Sequence, residues 1–325
     1  MPRLSIVIPL LGDSGALERT LVSVLENRPP ACEVIVVLNG EYADPYQLKD
    51  ELLFVEAPRG AGLAQSARLG IQASAAPIVH VLASGVEVVE RWTDAVMPHF
   101  ADPAVAAVAP TVMDAQRRDR IVATAVRYRA GGGRALETDY RRTSSKKAVV
   151  GPVGIAAFYR KAVLELVEQA LPATLGEDVA DVELALTLKH IGLRCVFEPQ
   201  SQVYARLEQS QRSRGFRAAL SAERLFWRSA PAVGWTAALA SHPFVVLGEL
   251  ARSVPRPAAI TQLTARLLGC CTIGSHARHH RRLNELKAHV EASLQEKAKP
   301  QLRIDDAHRG RQASDASDNR LRRAG

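Results

Sequence analysis

The sequence contains little cysteine and few aromatic residues, and both shortages exclude classes of protein. Its four cysteines are Cys32, Cys195, Cys270 and Cys271, and no two of them have the C-x-x-C spacing. That pattern excludes a disulfide framework and a recognisable zinc site, and it favours a reducing cytoplasm. Aromatic residues make up only 5% of the chain. Because nucleic-acid binders interleave aromatic and basic side chains, we rank nucleic acid last among the partners.

The chain also lacks an uninterrupted apolar run of membrane-spanning length. A span takes about 20 consecutive apolar residues, and the most apolar segment, within residues 232–251, is broken by His242, Pro243 and Glu249. We expect this segment to be a buried helix pair or an element at a membrane interface. The opening sequence MPRLSIVIPL enters a strand pattern without the features of a signal peptide. We therefore expect a cytoplasmic protein, peripheral on the inner face of the membrane if the segment touches lipid.

Positive charge is concentrated towards the end of the chain. The formal net charge is +8, and residues 275–325 contain 12 Lys or Arg against 7 Asp or Glu. Within them, consecutive basic residues occur at Arg278, His279, His280, Arg281 and Arg282, and the adjacent histidines are a candidate for metal binding. Such a tail suits contact with anionic lipid or nucleic acid, or it is simply a solvated end.

Short apolar runs alternate with amphipathic segments in the first third of the chain. The runs predict strands at Leu4–Leu11, Glu33–Leu38, Leu53–Ala57, Ile78–Leu82 and Val105–Ala109, and helices at Leu17–Glu26 and Gly62–Ala73. Continuously apolar strands are typical of a parallel sheet covered on both faces. Ligands bind such sheets beyond the carboxyl ends of the strands, which points to the loops after Pro9, Leu38 and Leu82.

The remainder of the chain divides at a change of composition after Arg206. Residues 116–147 are polar and arginine-rich and contain three consecutive glycines, which predicts a mobile loop or edge element. Helices follow at Lys161–Ala170 and Asp181–His190, then strands at Leu193–Phe197 and Gln202–Ala205. We predict an α/β domain over residues 1–206, a helical, membrane-associated extension over 207–274, and a basic helix with a disordered tail over 275–325.

Five segments carry a resemblance to a known family. They read LSIVIPLLGDSGALERTLVSVLEN, EVIVVLNGEYAD, APRGAGLAQSARLGI, VLASGVEVVERW and DVELALTLKHIGLRCVFEPQSQVY. In this order and at this spacing, they make residues 3–206 resemble the family-2 glycosyltransferases of the GT-A fold. The resemblance implies a Rossmann-like, mostly parallel sheet that binds a nucleoside-diphosphate sugar. The chemistry it implies is metal-assisted transfer of the sugar to an acceptor.

The resemblance also implies how charge is handled in that reaction. The departing diphosphate accumulates negative charge, which Mg²⁺ or Mn²⁺ held by carboxylates neutralises. A second carboxylate takes the proton of the acceptor hydroxyl as general base. The acceptor class implied is a glycan or lipid-linked sugar of cell-envelope polysaccharide synthesis.

The sequence departs from the family at the positions that hold metal and nucleoside. Ala83 and Gly85 stand where the family carries the first and last residues of its D-x-D or N-x-D triplet, and neither offers a side-chain ligand. Leu38 replaces the Asp that contacts the nucleoside, so that only Asn39 is polar there. Glu87 is the alternative ligand if the turn shifts, and is otherwise a surface carboxylate.

The position of the general base is better preserved. Asp181 precedes Gly192 at the family's spacing and heads a predicted helix, whose dipole favours the ionised carboxylate. The resemblance therefore implies that Asp181 is the base, and a plain helix cap is the structural alternative. Ala180 replaces the customary Glu, and Glu177 with Asp178 is an alternative pair if a short insertion is assumed.

Cationic side chains or backbone N–H groups can replace a metal in balancing a diphosphate. The cationic candidates, unless they form only a solvated loop, are Arg117, Arg118, Arg127, Arg129, Arg134, Arg141, Arg142, Lys146 and Lys147. The turn at residues 60–62 is the candidate for a backbone cradle. The nucleotide-sugar site that the resemblance implies comprises Pro9, Leu10, Leu38, Asn39, Gly62, Arg68, Ser84 and Gly85.

Two functions are consistent with these features. The first is an active glycosyltransferase, with a substitute metal ligand or without a metal. It acts on a lipid-linked or polysaccharide acceptor and contacts a membrane or a partner protein through its C-terminal helices. The second is a pseudoenzyme, a scaffold or partner-binding protein of the same fold that has lost catalysis. The missing carboxylates favour the second, and the Asp181 segment favours the first.

Overall fold

The computed structural model describes residues 1–129, 132–139, 143, 151–171, 175–206, 216–233, 235–253, 258–270, 276 and 278–295. Up to residue 206 the chain forms an α/β domain around one nine-stranded sheet. Helices follow from residue 216 onward. The predicted α/β fold with C-terminal helices is confirmed.

The main sheet has six strands that point the same way. The strands are β1 (Leu4–Pro9), β2 (Cys32–Leu38), β3 (Leu53–Glu56), β4 (Ile78–Leu82), β5 (Val86–Val88), β6 (Val105–Asp114), β7 (Ile121–Ala123), β8 (Ala125–Arg129), β9 (Gly133–Glu137), β10 (Ala156–Arg160) and β11 (Arg194–Ala205). The order is β3-β2-β1-β4-β10-β6-β11-β5, with β7 on β6, while β8 and β9 form a separate hairpin. β5, β7 and β10 are antiparallel to their neighbours and the other pairs are parallel.

The helices lie between and after these strands. They are α1 (Ser14–Glu26), α2 (Leu63–Ala73), α3 (Lys161–Ala170), α4 (Ala180–His190), α5 (Phe216–Val233), α6 (Trp235–Ser253) and α7 (Ala258–Cys270), with a further helix over residues 278–295. Short 3-10 turns occur at Leu48–Asp50, Met97–Ala101 and Glu177–Val179. The carboxylate of Asp13 caps α1 by accepting the N–H of Ala16 at 2.7 Å.

Both faces of the sheet are covered, as the continuously apolar strands predict. On one face Leu17 of α1 packs against the cluster that contains Ile6 of β1. On the other face Val7 of β1 lies in a second cluster, with Leu188 of α4 and Leu286 of the 278–295 helix. Successive side chains of β1 therefore enter opposite cores, because side chains of a strand alternate between faces. Buried strands of this kind fix the positions of the loops at their carboxyl ends.

The polar stretch 116–147 is more ordered than predicted. Its described part contains β7 at the sheet edge and the β8–β9 hairpin, which packs against α5. Of the two alternatives, a mobile loop or an edge element, β7 agrees with the edge element. The β8–β9 hairpin was not predicted, because its strands are short and carry charged side chains between apolar ones. Arg141, Arg142, Lys146 and Lys147 of the predicted cationic set lie outside the described residues.

The start of α4 also differs from the alternative in which Asp181 is a plain helix cap. The helix begins at Ala180, so Asp181 lies inside its first turn and is not the cap residue. Gly192 follows the helix end with a φ of +82°, as expected for a residue just past a helix. The two strands predicted after it are one strand, β11, with an irregular register between Glu198 and Gln202.

The helices after residue 216 pack around a buried carboxylate. Glu223 of α5 is fully buried, and it bonds Arg266 of α7 at 2.8 Å and the indole N–H of Trp227 at 2.7 Å. His242 of α6 also lies 2.7 Å from this carboxylate. A buried charge requires such partners, so Glu223 fixes how α5, α6 and α7 meet. None of the described helices has the length and apolar composition required to cross a bilayer.

Candidate active site

The turn after β4 is tied to the loop after β1 by a serine hydroxyl. The Oγ of Ser84 accepts the N–H of Leu11 at 2.7 Å and donates to the carbonyl of Leu11 at 2.8 Å. The N–H of Ser84 donates to the carbonyl of Pro9 at 3.1 Å. The two loops that the sequence pointed to are thus joined at the carboxyl edge of the sheet, and the hydroxyl of Ser84 serves as the link.

The same turn does not provide ligands for a divalent cation. Ala83 is buried, Gly85 has no side chain, and the Ser84 hydroxyl is committed to Leu11. Gly85 has a φ of +86°, a conformation that favours glycine, so an aspartate at this position would be strained. In the described ranges no group of three or more His, Cys, Asp or Glu is arranged to hold a metal. The residues present therefore do not fit the Mg²⁺ or Mn²⁺ site of the family.

Glu87 lies on β5, opposite Tyr204 of β11 in the register of the sheet. Its neighbours Val86 and Val88 are buried in the core, so Glu87 belongs to the other face of the short strand. Among the described residues, no hydrogen bond brings this carboxylate to the turn. Its role as a substitute ligand stays a prediction.

A carboxylate occupies the N-terminus of α2. The Oε2 of Glu177 accepts the N–H of Ala64 at 2.6 Å, and its Oε1 accepts the N–H of Gln65 at 3.1 Å. Gly62 precedes the helix, and a Cβ built there would lie 2.4 Å from the Cδ of Glu177. Asn39 supports this turn by donating to the carbonyl of Ala61 at 3.0 Å. The amides of Ala64 and Gln65, just after the turn at residues 60–62 that was predicted to cradle phosphate, thus hold a carboxylate from the same chain.

Asp181 lies close to the turn after β4 and forms an ion pair with an arginine. Both of its oxygens accept from Arg134 of β9, at 2.8 to 3.0 Å, and Oδ2 also accepts the N–H of Gly154 at 3.2 Å. The next residue, Ile155, accepts the N–H of Ala83 at 2.8 Å. The side chain of Asp181 is only 9% exposed. The structure therefore places the carboxylate of Asp181 and the guanidinium of Arg134 beside the backbone that bonds Ala83, the first residue of the degenerate triplet.

The three candidate bases have different surroundings. Asp181 is bound by Arg134, and Glu177 caps α2. Asp178 is exposed, and no hydrogen bond or ion pair joins it to the described part of the chain. Glu183 lies further along α4, pairs with Arg228 of α5, and its pKa is raised because the side chain is buried.

The other predicted residues are placed as follows. Arg68 of α2 pairs with Glu168 of α3, with 2.6 Å between the Nε and Oε1 atoms. Pro9 ends β1, and the N–H of Leu10 donates to the carbonyl of Val37 at 2.8 Å. Leu38 ends β2 and is partly buried. These residues line the predicted edge of the sheet, except that Arg68 turns towards α3.

Of the cationic candidates that the structure describes, Arg134 is the one held at Asp181. Arg127 pairs across the hairpin with Glu137, with 2.7 Å between the Nε and Oε2 atoms. The guanidinium of Arg118 lies over the ring of Tyr204, 4.9 Å from its centroid. The sequence offered no means of choosing Arg134, because its partner is 47 positions away.

Two contributors to the site were not predicted. The hydroxyl of Thr20 accepts the N–H of Gly85 at 2.8 Å, which fixes the turn against α1. Gly154 places its N–H on Asp181. Nothing in the local sequence around Thr20 or Gly154 marks them, since each acts through a partner from a distant segment.

Comparison with known proteins identifies the family. The model of glycosyl transferase family 2 matches residues 5–167, half of the chain, including the turn after β4. A comparison with curated proteins finds no match.

Two solved structures share the fold. Mannosyltransferase PcManGT from Pyrobaculum calidifontis, in complex with GDP-Man and Mn²⁺, has a TM-score of 0.50 and 18% identity over 90% of this chain and 85% of its own. GalNAc-T7, with UDP, GalNAc and Mn²⁺, has a TM-score of 0.52 and 16% identity over 69% of this chain. The matched part is 47% of GalNAc-T7. At these identities the likeness shows the GT-A fold alone.

Proposed function

The chain belongs to glycosyl transferase family 2, and on that premise we propose that it transfers a sugar from a nucleoside-diphosphate sugar to a glycan or lipid-linked acceptor without a resident metal ion. The observation that carries this proposal is the pairing of Arg134 with Asp181 beside a turn that lacks metal-binding carboxylates. The GDP-mannose and UDP complexes of the structural neighbours suggest GDP- and UDP-sugars as the first donors to test.

In this proposal Arg134 supplies the positive charge that the metal supplies elsewhere in the family. A guanidinium binds phosphate oxygens through two parallel N–H bonds, the same geometry that it now uses on Asp181. The donor diphosphate competes with Asp181 for Arg134. When Arg134 turns to the diphosphate, the carboxylate of Asp181 is released.

The released carboxylate is the general base. The acceptor oxygen forms a bond to the anomeric carbon while the bond from that carbon to the diphosphate oxygen breaks. The proton of the acceptor hydroxyl goes to Asp181, and the electron pair of the broken bond leaves with the nucleoside diphosphate, where Arg134 balances it. A single displacement of this kind inverts the anomeric configuration.

The test is turnover of a panel of GDP- and UDP-sugars by the full chain, with an extract of lipid-linked and polysaccharide acceptors, in excess EDTA and in Mn²⁺. We expect release of nucleoside diphosphate that EDTA does not abolish. We expect R134A to lower kcat/KM by about 10²-fold or more, the size of effect seen when one charge-stabilising donor is removed. R59A is the matched control, because Arg59 is an exposed arginine whose ion pair among the described residues is with the exposed Glu41. Loss of turnover in EDTA would contradict the metal-free reaction.

We also propose that the acceptor is reached at a membrane surface, through the outer faces of α6 and α7. Exposed large apolar side chains are concentrated on these two helices: Leu239, Phe244, Leu247, Leu263, Leu267 and Leu268. Residues 207–274 contain eight arginines and three acidic residues, so this part of the chain is complementary to anionic headgroups. Apolar side chains beside basic ones are typical of a helix lying in the interface of a bilayer.

Vesicle flotation tests this surface. We expect the full chain to float with vesicles containing phosphatidylglycerol and the double variant F244E/L267E to remain in solution. V22E is the control, since Val22 is an exposed apolar residue on α1 of the α/β domain. Equal flotation of F244E/L267E and the unchanged chain would reject this apolar surface as the membrane contact, and would assign it to a protein partner or to no partner.

A scaffold without catalysis is the second candidate, and one observation favours it. The α2 amides that face an anion are already occupied by Glu177, which leaves fewer groups for a diphosphate. Calorimetric titration with the same nucleotide sugars separates the candidates. Absence of binding favours the scaffold, whereas tight binding of a UDP- or GDP-sugar rejects it.

A further inference from the structure

A cluster of basic side chains lies where α4, α5 and the 278–295 helix meet. Arg224 and Arg228 are one turn apart on α5, and a hydrogen bond joins the ring of His280 to the backbone of Trp227 between them. The Nε2 of His190, at the end of α4, lies 3.0 Å from the Oδ1 of Asn284. We call this set the basic cluster: Arg224, Arg228, His276, His279 and His280. None of its residues belongs to the site around Asp181.

The cluster combines positive charge with buried nitrogen atoms that lack a partner. His276 is buried, only 2% exposed. The Nε of Arg224 and the Nε2 of His280 are also buried, and neither has a hydrogen-bond partner within the described ranges. Buried polar atoms are normally hydrogen-bonded, so two such atoms in one cluster indicate a further group that the described residues do not supply.

The neighbouring cationic groups each lower the pKa values of the three histidines. Burial first, and then Arg228 and the neighbouring histidines, together lower the pKa of His276 to about 4 and that of His279 to about 3. Arg224 acts on His276 in the same direction. Without a bound anion the rings are neutral, because their protonation would add charge to an already positive region.

A metal does not explain the cluster. In the part of the chain that the structure describes, no group of three or more His, Cys, Asp or Glu can hold a cation. Two guanidinium groups would also repel one. The adjacent histidines that the sequence offered as a metal site are therefore better matched to an anion.

We propose that the basic cluster binds a phosphate group. Arg224 offers a guanidinium that can bind two oxygens at once, and a protonated His280 would donate from Nε2, the atom that now lacks a partner. A dianion relieves the repulsion among the cationic groups. The same chemistry is offered by a soluble phosphate or diphosphate and by the phosphate headgroup of a lipid. This site is separate from glycosyl transfer and does not depend on it.

Anion binding at this site takes up protons. A dianion beside the histidines raises their pKa values, so binding tightens as the pH falls from 8 to 6. Besides the members of the cluster, the charged or titratable groups beside it are Glu183, which pairs with Arg228, and His190, both of α4. Protonation of Glu183 would strengthen anion binding in the same direction, so a histidine variant is required to separate the two effects.

The experiment is calorimetric titration of the full chain with sulfate and with inorganic phosphate. Sulfate remains a dianion between pH 6 and 8, so its own protonation does not contribute to the pH dependence. We expect saturable binding that R224A weakens by about tenfold or more, the size expected for one charged hydrogen bond. R217A is the matched control, because Arg217 is an exposed arginine of the same helix. R224K should retain part of the affinity, because a lysine keeps the positive charge but cannot bind two oxygens at once as a guanidinium does.

The contribution of the histidines is tested with H280N. In this variant the sulfate affinity should increase less between pH 8 and pH 6 than in the unchanged chain. Three results would each overturn the site: no saturable binding of either anion, equal effects of R224A and R217A, or an unchanged pH dependence in H280N.

Vesicles distinguish the source of the phosphate. The binding of the unchanged chain and of R224A is measured on vesicles that contain phosphatidic acid and on vesicles of phosphatidylcholine alone. If R224A weakens the binding of soluble anion but not the binding to phosphatidic acid vesicles, the ligand is a free phosphate. If R224A weakens both, the ligand is a lipid headgroup.

Discussion

Arg134 and Asp181 form a two-point ion pair, in which the Nε of Arg134 lies 2.9 Å from Oδ1 and the Nη2 lies 2.8 Å from Oδ2 of Asp181. The pair joins the β8–β9 hairpin to the first turn of α4, next to the backbone that supports the turn after β4. In the proposed reaction, Arg134 leaves Asp181 to bind the diphosphate, and Asp181 then binds the acceptor hydroxyl.

The first prediction concerns the identity of the base. D181N should lower kcat by about 10²- to 10⁴-fold, the contribution of a general base, and should leave the binding of the donor measurable. D178N is the control, because Asp178 lies three residues away, is exposed and is not bound to Arg134. Turnover with each variant and one nucleotide sugar decides between them. A large loss in D178N with little change in D181N would move the base to the alternative pair.

The second prediction concerns Gly62 and Glu177. In G62A the new methyl group would meet the Glu177 carboxyl, 2.4 Å from its Cδ, and displace it from the N-terminus of α2. We expect G62A and E177A each to lower the free energy of unfolding by about 1 kcal/mol, the contribution of a helix cap. Because both remove the same contact, the double variant should cost less than the two singles added together.

Urea unfolding of the four proteins in this cycle measures the coupling. E41A supplies the comparison, since Glu41 is an exposed carboxylate that pairs only with Arg59. Additive losses in the double variant would mean that Glu177 does not cap α2 in solution. Release of Glu177 should also expose the Ala64 and Gln65 amides, so tighter binding of a nucleoside diphosphate by E177A would indicate that the carboxylate competes with the ligand.

The sequence was sufficient for the sheet but not for the contacts that complete the site. Apolar runs such as Ile78–Leu82 predict buried strands because each fills both faces of the sheet, and the carboxyl-end loops follow from that. The β8–β9 hairpin has no such signal, since Arg127, Tyr128 and Arg129 read as a polar loop. Its stability comes from packing on α5, which local sequence does not encode.

The same reasoning explains which contacts of individual residues could be predicted. Ala83 and Gly85 could be recognised as departures because they fall within a motif. The partners of Glu177 lie more than 100 positions away in the chain, so its capping of α2 could not be predicted from sequence. Arg68 had a motif position but turns to Glu168, because a nearby carboxylate on α3 offers it an ion pair.

The third prediction concerns the buried carboxylate between α5, α6 and α7. E223A leaves Arg266 and His242 buried without the charge that they pair with. Removing one partner of a buried ion pair costs about 3–5 kcal/mol, so we expect the urea midpoint of the helical part to fall strongly. Trp227 lies in this cluster and reports the transition by fluorescence. The exposed Glu285 provides the comparison: E285A should change little, and an equally small effect of E223A would contradict the buried network.

The last prediction concerns acid stability and His80. This residue is fully buried on β4, its ring is stacked on Phe158 with the centroids 3.7 Å apart, and burial lowers its pKa to about 3. Between pH 6.5 and pH 5.5 the unfolded chain binds a proton that native His80 does not bind. The free energy of unfolding should therefore fall by about 1 kcal/mol over this interval from His80 alone.

H80F keeps the stacked ring and removes the titration, so urea unfolding at the two pH values should show a smaller acid loss for H80F than for the unchanged chain. H289N is the matched control, because His289 is an exposed histidine of the 278–295 helix, and it should leave the loss as it is. The remaining loss in H80F belongs to other histidines with lowered pKa values, His276 and His279 among them. An identical acid loss in H80F and the unchanged chain would mean that His80 is protonated in the native state, and hence that the core around β4 is open to water.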